Sequence, residues 1–82
     1  MDDIPRWSAE AKKLKPGIYR HFKGDEYQVL KVARHSESGE ELVVYQSLKH
    51  PDRVWVRPLP MFVENVRRAN YEGPRFTFLR EA

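Results

Sequence analysis

Large aromatic rings alternate with histidine or arginine along two stretches in the middle of this chain. Tyr19 and His21 are two residues apart, and so are Trp55 and Arg57. In an extended strand each such pair lies on one face, because successive side chains point to opposite faces. A planar guanidinium beside an indole suits stacked bases, carboxylates or phosphates. The candidate ligand-binding residues are therefore Tyr19, His21, Tyr45, Trp55 and Arg57, with Tyr45 supplied by a neighbouring strand.

The same pattern also suits a packed core with polar tips at its surface, since large aromatic residues in small domains are usually core residues. Under that interpretation Trp55 packs against Phe62 in a late helical turn. Arg57 then forms an ion pair with an acid such as Glu41 or Glu64. The sequence leaves both interpretations open.

The residue spacing gives less support to a metal site or to nucleophilic catalysis. A metal site from His21 and His35 is awkward, because His35 would fall beyond the start of the first strand and no third ligand is spaced for it. His35 and Ser36 are neighbours, so in an extended strand their side chains point apart unless a bulge intervenes. The sequence contains no complete catalytic motif, and we predict no catalytic residues, no metal site and no cofactor.

The length and composition of the chain are those of one small domain. The chain has 82 residues and no cysteine. The absence of cysteine excludes disulfides, thiolate nucleophiles and cysteine-based zinc sites, and it fits a reducing cytoplasm. No apolar run is long enough to span a bilayer, and the first residues lack the apolar segment of a secretory signal. We therefore expect a cytoplasmic protein with no membrane partner.

The net charge of +3 arises outside the centre of the chain. Residues 1–16 carry four Lys/Arg against three Asp/Glu, residues 17–66 carry seven of each, and residues 67–82 carry four against two. Nucleic-acid binding driven by the phosphate backbone needs several Lys/Arg side chains on one surface. The neutral centre argues against that kind of binding.

Short strands must position the candidate residues. Four strands separated by tight turns are predicted at residues 18–23, 26–35, 42–48 and 53–57. Pro58 and Pro60 then break the hydrogen-bonded ladder, and one or two helical turns follow at 60–66. After a loop at 70–74, a fifth strand is predicted at 75–79.

Four or five short strands with one short helical turn predict a mainly β fold, and specifically a small, partly open SH3-like barrel. The second and third strands are apolar on both faces, which suits strands that bend across a barrel. The β-barrel domain is expected at 17–82. Residues 1–16 form a polar N-terminal extension, in which Ser8 is placed to cap a short helix at 9–14.

Several short blocks of sequence between Gly17 and Phe62 resemble those of a known protein family in both their order and their spacing. They contain Tyr19, Arg20, His21, Phe22, Gly24, Tyr27, His35, Tyr45, Trp55, Arg57, Pro58 and Phe62. With these residues the chain resembles a family of small bacterial proteins catalogued as domain-of-unknown-function family number 1653. Lys49 departs from the family, which usually has a tyrosine there. The resemblance implies a bacterial origin and a stand-alone compact β domain, and it implies no established activity.

The function that the sequence favours is a non-catalytic binding module using this aromatic, histidine and arginine face. Single-stranded nucleic acid or a nucleotide is the first expected ligand, because rings beside arginine suit stacked bases next to phosphate. A protein- or peptide-interaction module is the alternative. A small enzyme is the third possibility, and it would require His21 or His35 to titrate abnormally inside a cleft.

Overall fold

Within residues 6–82, which the computed structural model describes, the chain forms seven short strands and two short helices. The first five residues of the predicted N-terminal extension lie outside the described range. The elements in chain order are α1 (Ala9–Lys13), β1 (Gly17–His21), β2 (Glu26–Arg34), β3 (Glu41–Ser47), β4 (Val54–Pro58), α2 (Leu59–Val63), β5 (Asn65–Arg68), β6 (Tyr71–Pro74) and β7 (Phe76–Arg80). No helix in this range is both long enough and apolar enough to cross a bilayer.

Five of the strands form one antiparallel sheet in the order β4-β3-β2-β1-β7, and β5 pairs with β6 in a separate two-stranded sheet. The larger sheet is open, because β4 and β7 remain its two edges. A bulge in β2 between Val29 and Lys31 bends the sheet. The predictions of a mainly β fold and of a partly open arrangement are confirmed.

The two-stranded sheet differs from the sequence-based expectation. Helix α2 ends at Val63, and the residues that follow it form β5 instead of continuing the helix. The predicted loop at 70–74 contains β6. Both strands contain charged residues, glycine or proline, so neither shows the apolar alternation that identifies a strand. Backbone pairing from Asn65–Pro74 to Arg68–Tyr71 joins the two strands, and Val66 of β5 is buried.

The core lies between one face of the five-stranded sheet and α2. Phe62 of α2 stacks on Phe76 of β7, with ring centroids 4.1 Å apart and ring planes within 8° of parallel. Its edges meet the rings of Tyr19 and Tyr45 at 5.6 and 5.4 Å. Leu59, one turn earlier in α2, is also fully buried. The aromatic residues of four different elements therefore form a single cluster.

Helix α1 is attached to the sheet by a carboxylate. Ser8 is its N-cap, as the sequence predicts, and accepts a hydrogen bond from the backbone N–H of Ala11. The backbone N–H and the hydroxyl of Ser8 donate to the two oxygens of Glu41 at 2.8 and 2.6 Å. Arg34, which also pairs with Glu41, stacks its guanidinium over the Trp7 ring at 4.6 Å. The N-terminal segment is thus held against β2 and β3.

We expect the Ser8→Ala variant to raise the pKa of Glu41 towards its ordinary value. The hydrogen bond from the Ser8 hydroxyl, followed by that from its backbone N–H, holds the pKa of this carboxyl below its ordinary value, and Arg34 adds to the effect. Stability from this contact is present above the unfolded pKa near 4.5 and is lost as the pH falls through the lower folded pKa. Carboxyl NMR titration measures the shift.

The matched control for this titration is Ser38→Ala. The Ser38 hydroxyl accepts a hydrogen bond from the backbone N–H of Glu40 in the exposed loop between β2 and β3 and none from the Glu41 side chain or Ser8. This control should leave the Glu41 titration unchanged. A Glu41 pKa that does not move in Ser8→Ala would contradict the assignment of its cause.

Candidate functional site

The register of the sheet places the five predicted site residues on one face. Tyr45 is directly opposite Trp55 on β4, and Arg57 is opposite Val43, two residues before Tyr45. Across the rest of the sheet the link runs through cross-strand pairs: Val29–Tyr45, Tyr19–Tyr27 and His21–Phe76. Residues directly opposite each other in an antiparallel pair point to the same face. This is also the face that packs against α2.

The five residues differ sharply in how far they reach solvent. Tyr19 and Tyr45 are buried in the core, whereas the Trp55 side chain is 47% exposed on the edge strand. His21 and Arg57 are half-buried. The core interpretation therefore holds for the two tyrosine rings, and Trp55, His21 and Arg57 present accessible groups. Their role in ligand binding stays a prediction.

Tyr19 has a structural partner. Its hydroxyl donates a hydrogen bond to the backbone carbonyl of Lys15 at 2.7 Å, and its ring packs edge-on against Phe62 and Phe78. Burial raises the pKa of the Tyr19 hydroxyl, with the bond to Lys15 opposing that shift. Tyr19 thus joins the linker after α1 to the core.

The Arg57 side chain extends from β4, one edge strand of the open sheet, towards β7, the other edge strand. Its Nε donates a hydrogen bond to the Tyr45 hydroxyl at 3.2 Å, and its Cζ lies 5.8 Å from the ring centroid of Phe76. Because Arg57 is on β4 and Phe76 on β7, this contact shows that the sheet curls strongly at this end. No carboxylate among residues 6–82 pairs with Arg57. Glu41 and Glu64, its two expected partners, bind elsewhere.

His21 lies in a cationic environment at the same end. Its ring contacts the Phe76 ring edge-on at 4.9 Å, and its Nδ1 accepts a hydrogen bond from the backbone N–H of Lys23. Neutral imidazole then carries its proton on Nε2. Burial lowers the pKa of His21, the positive charges of Arg57, Arg75 and Lys23 lower it further, and Asp25 opposes the shift.

Tyr27 completes the group. It is half-buried, and its ring lies edge-on to Tyr45 at 5.4 Å and to Phe76 at 5.8 Å. Burial raises the pKa of its hydroxyl, while Arg57 acts in the opposite direction. We call Phe76 and the four residues that contact its ring the Arg57 cluster: His21, Tyr27, Tyr45, Arg57 and Phe76.

Residues 17–78 match the model of a family described as a protein of unknown function, DUF1653. The chain belongs to this family. It is also similar to the crystal structure of a DUF1653 protein from Bordetella bronchiseptica, with 34% sequence identity, a TM-score of 0.79, and coverage of 88% of this chain and 95% of that one. A search of curated proteins found no match. The family resemblance predicted from the sequence is confirmed.

Every residue of the Arg57 cluster lies inside the range matched to DUF1653, whereas α1 lies before it. Two members, Tyr27 and Phe76, were not among the predicted site residues. Tyr27 was within reach of sequence reasoning, because the short β1–β2 turn places it opposite Tyr19. Phe76 was not, because its position depends on pairing between the first and last strands of the DUF1653 domain.

His35, the other histidine considered as a metal ligand, stabilises a turn in this DUF1653 domain. Its Nδ1 accepts hydrogen bonds from the backbone N–H groups of Glu37 and Ser38 at 3.1 and 3.2 Å. Across the described range, no three His, Cys, Asp or Glu side chains come close enough together to hold a metal ion. His21 and His35 therefore have separate local environments.

Proposed function

We propose that this protein is a non-catalytic binding module that holds the phosphate of a nucleotide or of a single-stranded nucleic acid at the Arg57 cluster. The supporting observation is that the Arg57 guanidinium, held by the Tyr45 hydroxyl, has no carboxylate partner among residues 6–82. Arg75 and Lys23 also act on His21 at the same end of the sheet, although Asp25 opposes them and Arg75 is paired with Glu64. The unpaired charge that would attract an anion is therefore mainly that of Arg57.

The geometry of Arg57 suits a phosphate. Its Nε is used in the bond to Tyr45, and neither terminal nitrogen donates a hydrogen bond within the described range. A guanidinium fixed in this way presents two parallel N–H donors, which match two oxygens of a phosphate or carboxylate. His21 adds a third donor through Nε2 when neutral, and a positive charge when protonated.

Trp55 supplies a surface on which a base can stack. It is on the same face as Arg57 and two residues before it, which is about 7 Å along a strand. One nucleotide can therefore place its base on the indole and its phosphate on the guanidinium. Stacking of a base on an aromatic side chain contributes about 1–3 kcal/mol and depends little on the base. Weak sequence preference is the expected consequence.

We further propose a bacterial origin and a cytoplasmic location. The Bordetella bronchiseptica relative supports the first. The absence of cysteine from the chain fits the reducing environment of the second. The alternative function, a protein-interaction module, is supported by a separate surface on β4.

An NMR titration tests the proposed ligand. Amide-correlation spectra are recorded at low salt with inorganic phosphate, adenosine monophosphate and a short oligothymidylate. We expect saturable shifts at the Trp55 indole N–H and around Arg57 and His21. Arg57→Gln should weaken binding at least about tenfold, because charged hydrogen bonds contribute about 1.5–3 kcal/mol. Arg57→Lys, which keeps the charge and loses the two-pronged geometry, should fall in between.

Arg53→Gln is the matched control, because it removes the same charge from an exposed position just before β4. It should have little effect beyond a small salt-dependent loss. Binding that is absent for all three probes would contradict the proposal. An equal loss in Arg53→Gln and Arg57→Gln would mean that general charge, and not the cluster, attracts the ligand.

Ligand binding should also be coupled to protonation of His21. Burial first, and then the charges of Arg57, Arg75 and Lys23 against the opposing charge of Asp25, hold the pKa of His21 below its ordinary value, so a bound anion should raise that pKa. Affinity should therefore increase as the pH falls from neutral towards acid. The dinucleoside phosphate thymidylyl-thymidine, which has no terminal phosphate, is the right probe, because the charge of its phosphodiester is constant over this range. Histidine ring NMR, with and without the probe, measures the shift, and an unchanged His21 titration would contradict the coupling.

A further inference from the structure

Strand β4 is an exposed apolar edge of the five-stranded sheet. Val54 and Val56 are 52% and 60% exposed, and Trp55 between them is exposed on the opposite face. Edge strands in stable monomers are usually protected by charged side chains, bulges or covering segments. The three residues Val54 to Val56 carry no charge, and exposed apolar surface of this kind marks a site of association.

The β3–β4 pairing shows which backbone N–H and C=O groups of β4 point towards the open edge. The N–H of Ser47 on β3 donates to the carbonyl of Arg53 at 3.1 Å, so these two residues form a hydrogen-bonded pair. Hydrogen-bonded and non-hydrogen-bonded pairs alternate along an antiparallel ladder. It follows that Val54, Val56 and Pro58 direct their backbone groups away from β3, towards the open edge.

We propose that β4 binds β4 of a second copy of this chain in an antiparallel pair centred on Val56. In this register Val56 exchanges two backbone hydrogen bonds with Val56 of the second copy. The N–H of Val54 in each copy donates to the carbonyl of Pro58 in the other copy. Pro58 has no N–H, so the carbonyl of Val54 is the one edge acceptor left without a partner.

Side-chain charge selects this register. With Val56 at the twofold axis, Trp55 lies opposite Arg57 of the second copy on the inner face, so no two like charges are directly opposite each other. Moving the axis to Trp55 would place Arg53 opposite Arg57. Moving it to Arg57 would place that arginine opposite its own copy. Like charges directly opposite each other destabilise a strand pair, so the two neighbouring registers are disfavoured.

The outer face of the strand pair is also complementary. Val56 meets Val56 of the second copy, and Val54 meets Pro58, so apolar surface that is now exposed becomes covered. The dimer would extend the sheet from five strands to ten. Association is a common source of stability for small domains with limited cores. Because Val56 points away from the Arg57 cluster, the dimer can fail without affecting the proposed anion site.

Cysteine cross-linking tests the register directly. The chain has no cysteine, so a single introduced thiol has only its own copy as a partner. Hydrogen-bonded antiparallel partners have Cα atoms about 5.5 Å apart, which a disulfide can bridge. Val56→Cys should therefore form a covalent dimer on mild oxidation. Val54→Cys is the control, because the two copies of residue 54 would be four residues out of register, about 13 Å along the strand.

The mass in solution provides the second measurement. Light scattering should give twice the chain mass of 9.8 kDa for the natural sequence. Val56→Lys should give a monomer with an unchanged circular dichroism spectrum, because two lysines would meet at the twofold axis. Val56→Thr, which keeps a β-branched residue, should remain dimeric. A monomeric natural protein at high concentration, a dimer that persists in Val56→Lys, or equal cross-linking at positions 54 and 56 would overturn the proposal.

Discussion

Replacing Phe62 with alanine is expected to lower the free energy of unfolding by about 3–5 kcal/mol, the usual cost of removing a large buried aromatic ring. Phe62 is 1% exposed and is in contact with the rings of Tyr19, Tyr45 and Phe76. Small domains are stable by only about 5–15 kcal/mol in total. The variant should therefore be close to unfolding at room temperature.

Urea unfolding followed by circular dichroism measures this effect. Met61→Ala is the matched control, because Met61 precedes Phe62 in the same short helix and is 42% exposed. Its cost should be within about 0.5 kcal/mol, as is usual for surface positions. A Phe62→Ala variant that unfolds at the same urea concentration as Met61→Ala would mean that α2 contributes little to the packing of the sheet.

Replacing Gly17 with alanine is expected to destabilise the protein through two separate effects. Gly17 has a φ of 145°, a backbone conformation that residues with a Cβ adopt only at a cost of about 1–3 kcal/mol. A Cβ at this position would also lie 2.6 Å from the carbonyl oxygen of Arg80. Relief of that contact requires β1 and β7 to separate, which adds about 1–3 kcal/mol, as in an overpacked core.

Gly24→Ala separates the two effects. Gly24 also has a positive φ, of 112°, and no atom lies within 4 Å of where its Cβ would be. This variant should show the backbone cost alone, so its unfolding transition should lie between those of the natural protein and Gly17→Ala. Amide exchange should accelerate along β7 only in Gly17→Ala. Equal losses of stability in the two variants would show that β7 moves aside freely.

Local signals in the sequence were sufficient for most of the five-stranded sheet. Turns containing Gly24 or Gly39 and strands rich in apolar residues placed β1 to β4 within two residues of their observed limits. The hairpin of β5 and β6 was missed, because its residues are mostly polar or are poor strand formers. Its stability depends on Val66 reaching the interior, which no local pattern indicates.

The candidate site was predictable in part for the same reason. Strand alternation correctly placed Trp55 with Arg57 on one face, and that face is shared by Tyr45. The burial of Tyr45 could not be inferred, because it depends on α2 folding back over the sheet and on Phe76 arriving from the last strand. The partners of Arg57 are likewise set by contacts between residues far apart in the chain.

The pairing of β1 with β7 brings the start and the end of the β domain together. Ile18 is directly opposite Arg80, so the chain enters and leaves the domain at the same place. A domain with adjacent ends can be inserted whole into a surface loop of another protein, or circularly permuted. The turn closed by His35 is a suitable position for new termini, because opening it leaves every strand of the larger sheet continuous. The close approach of β1 and β7 that restricts position 17 to glycine thus also places the two ends of the domain side by side, as insertion and permutation both require.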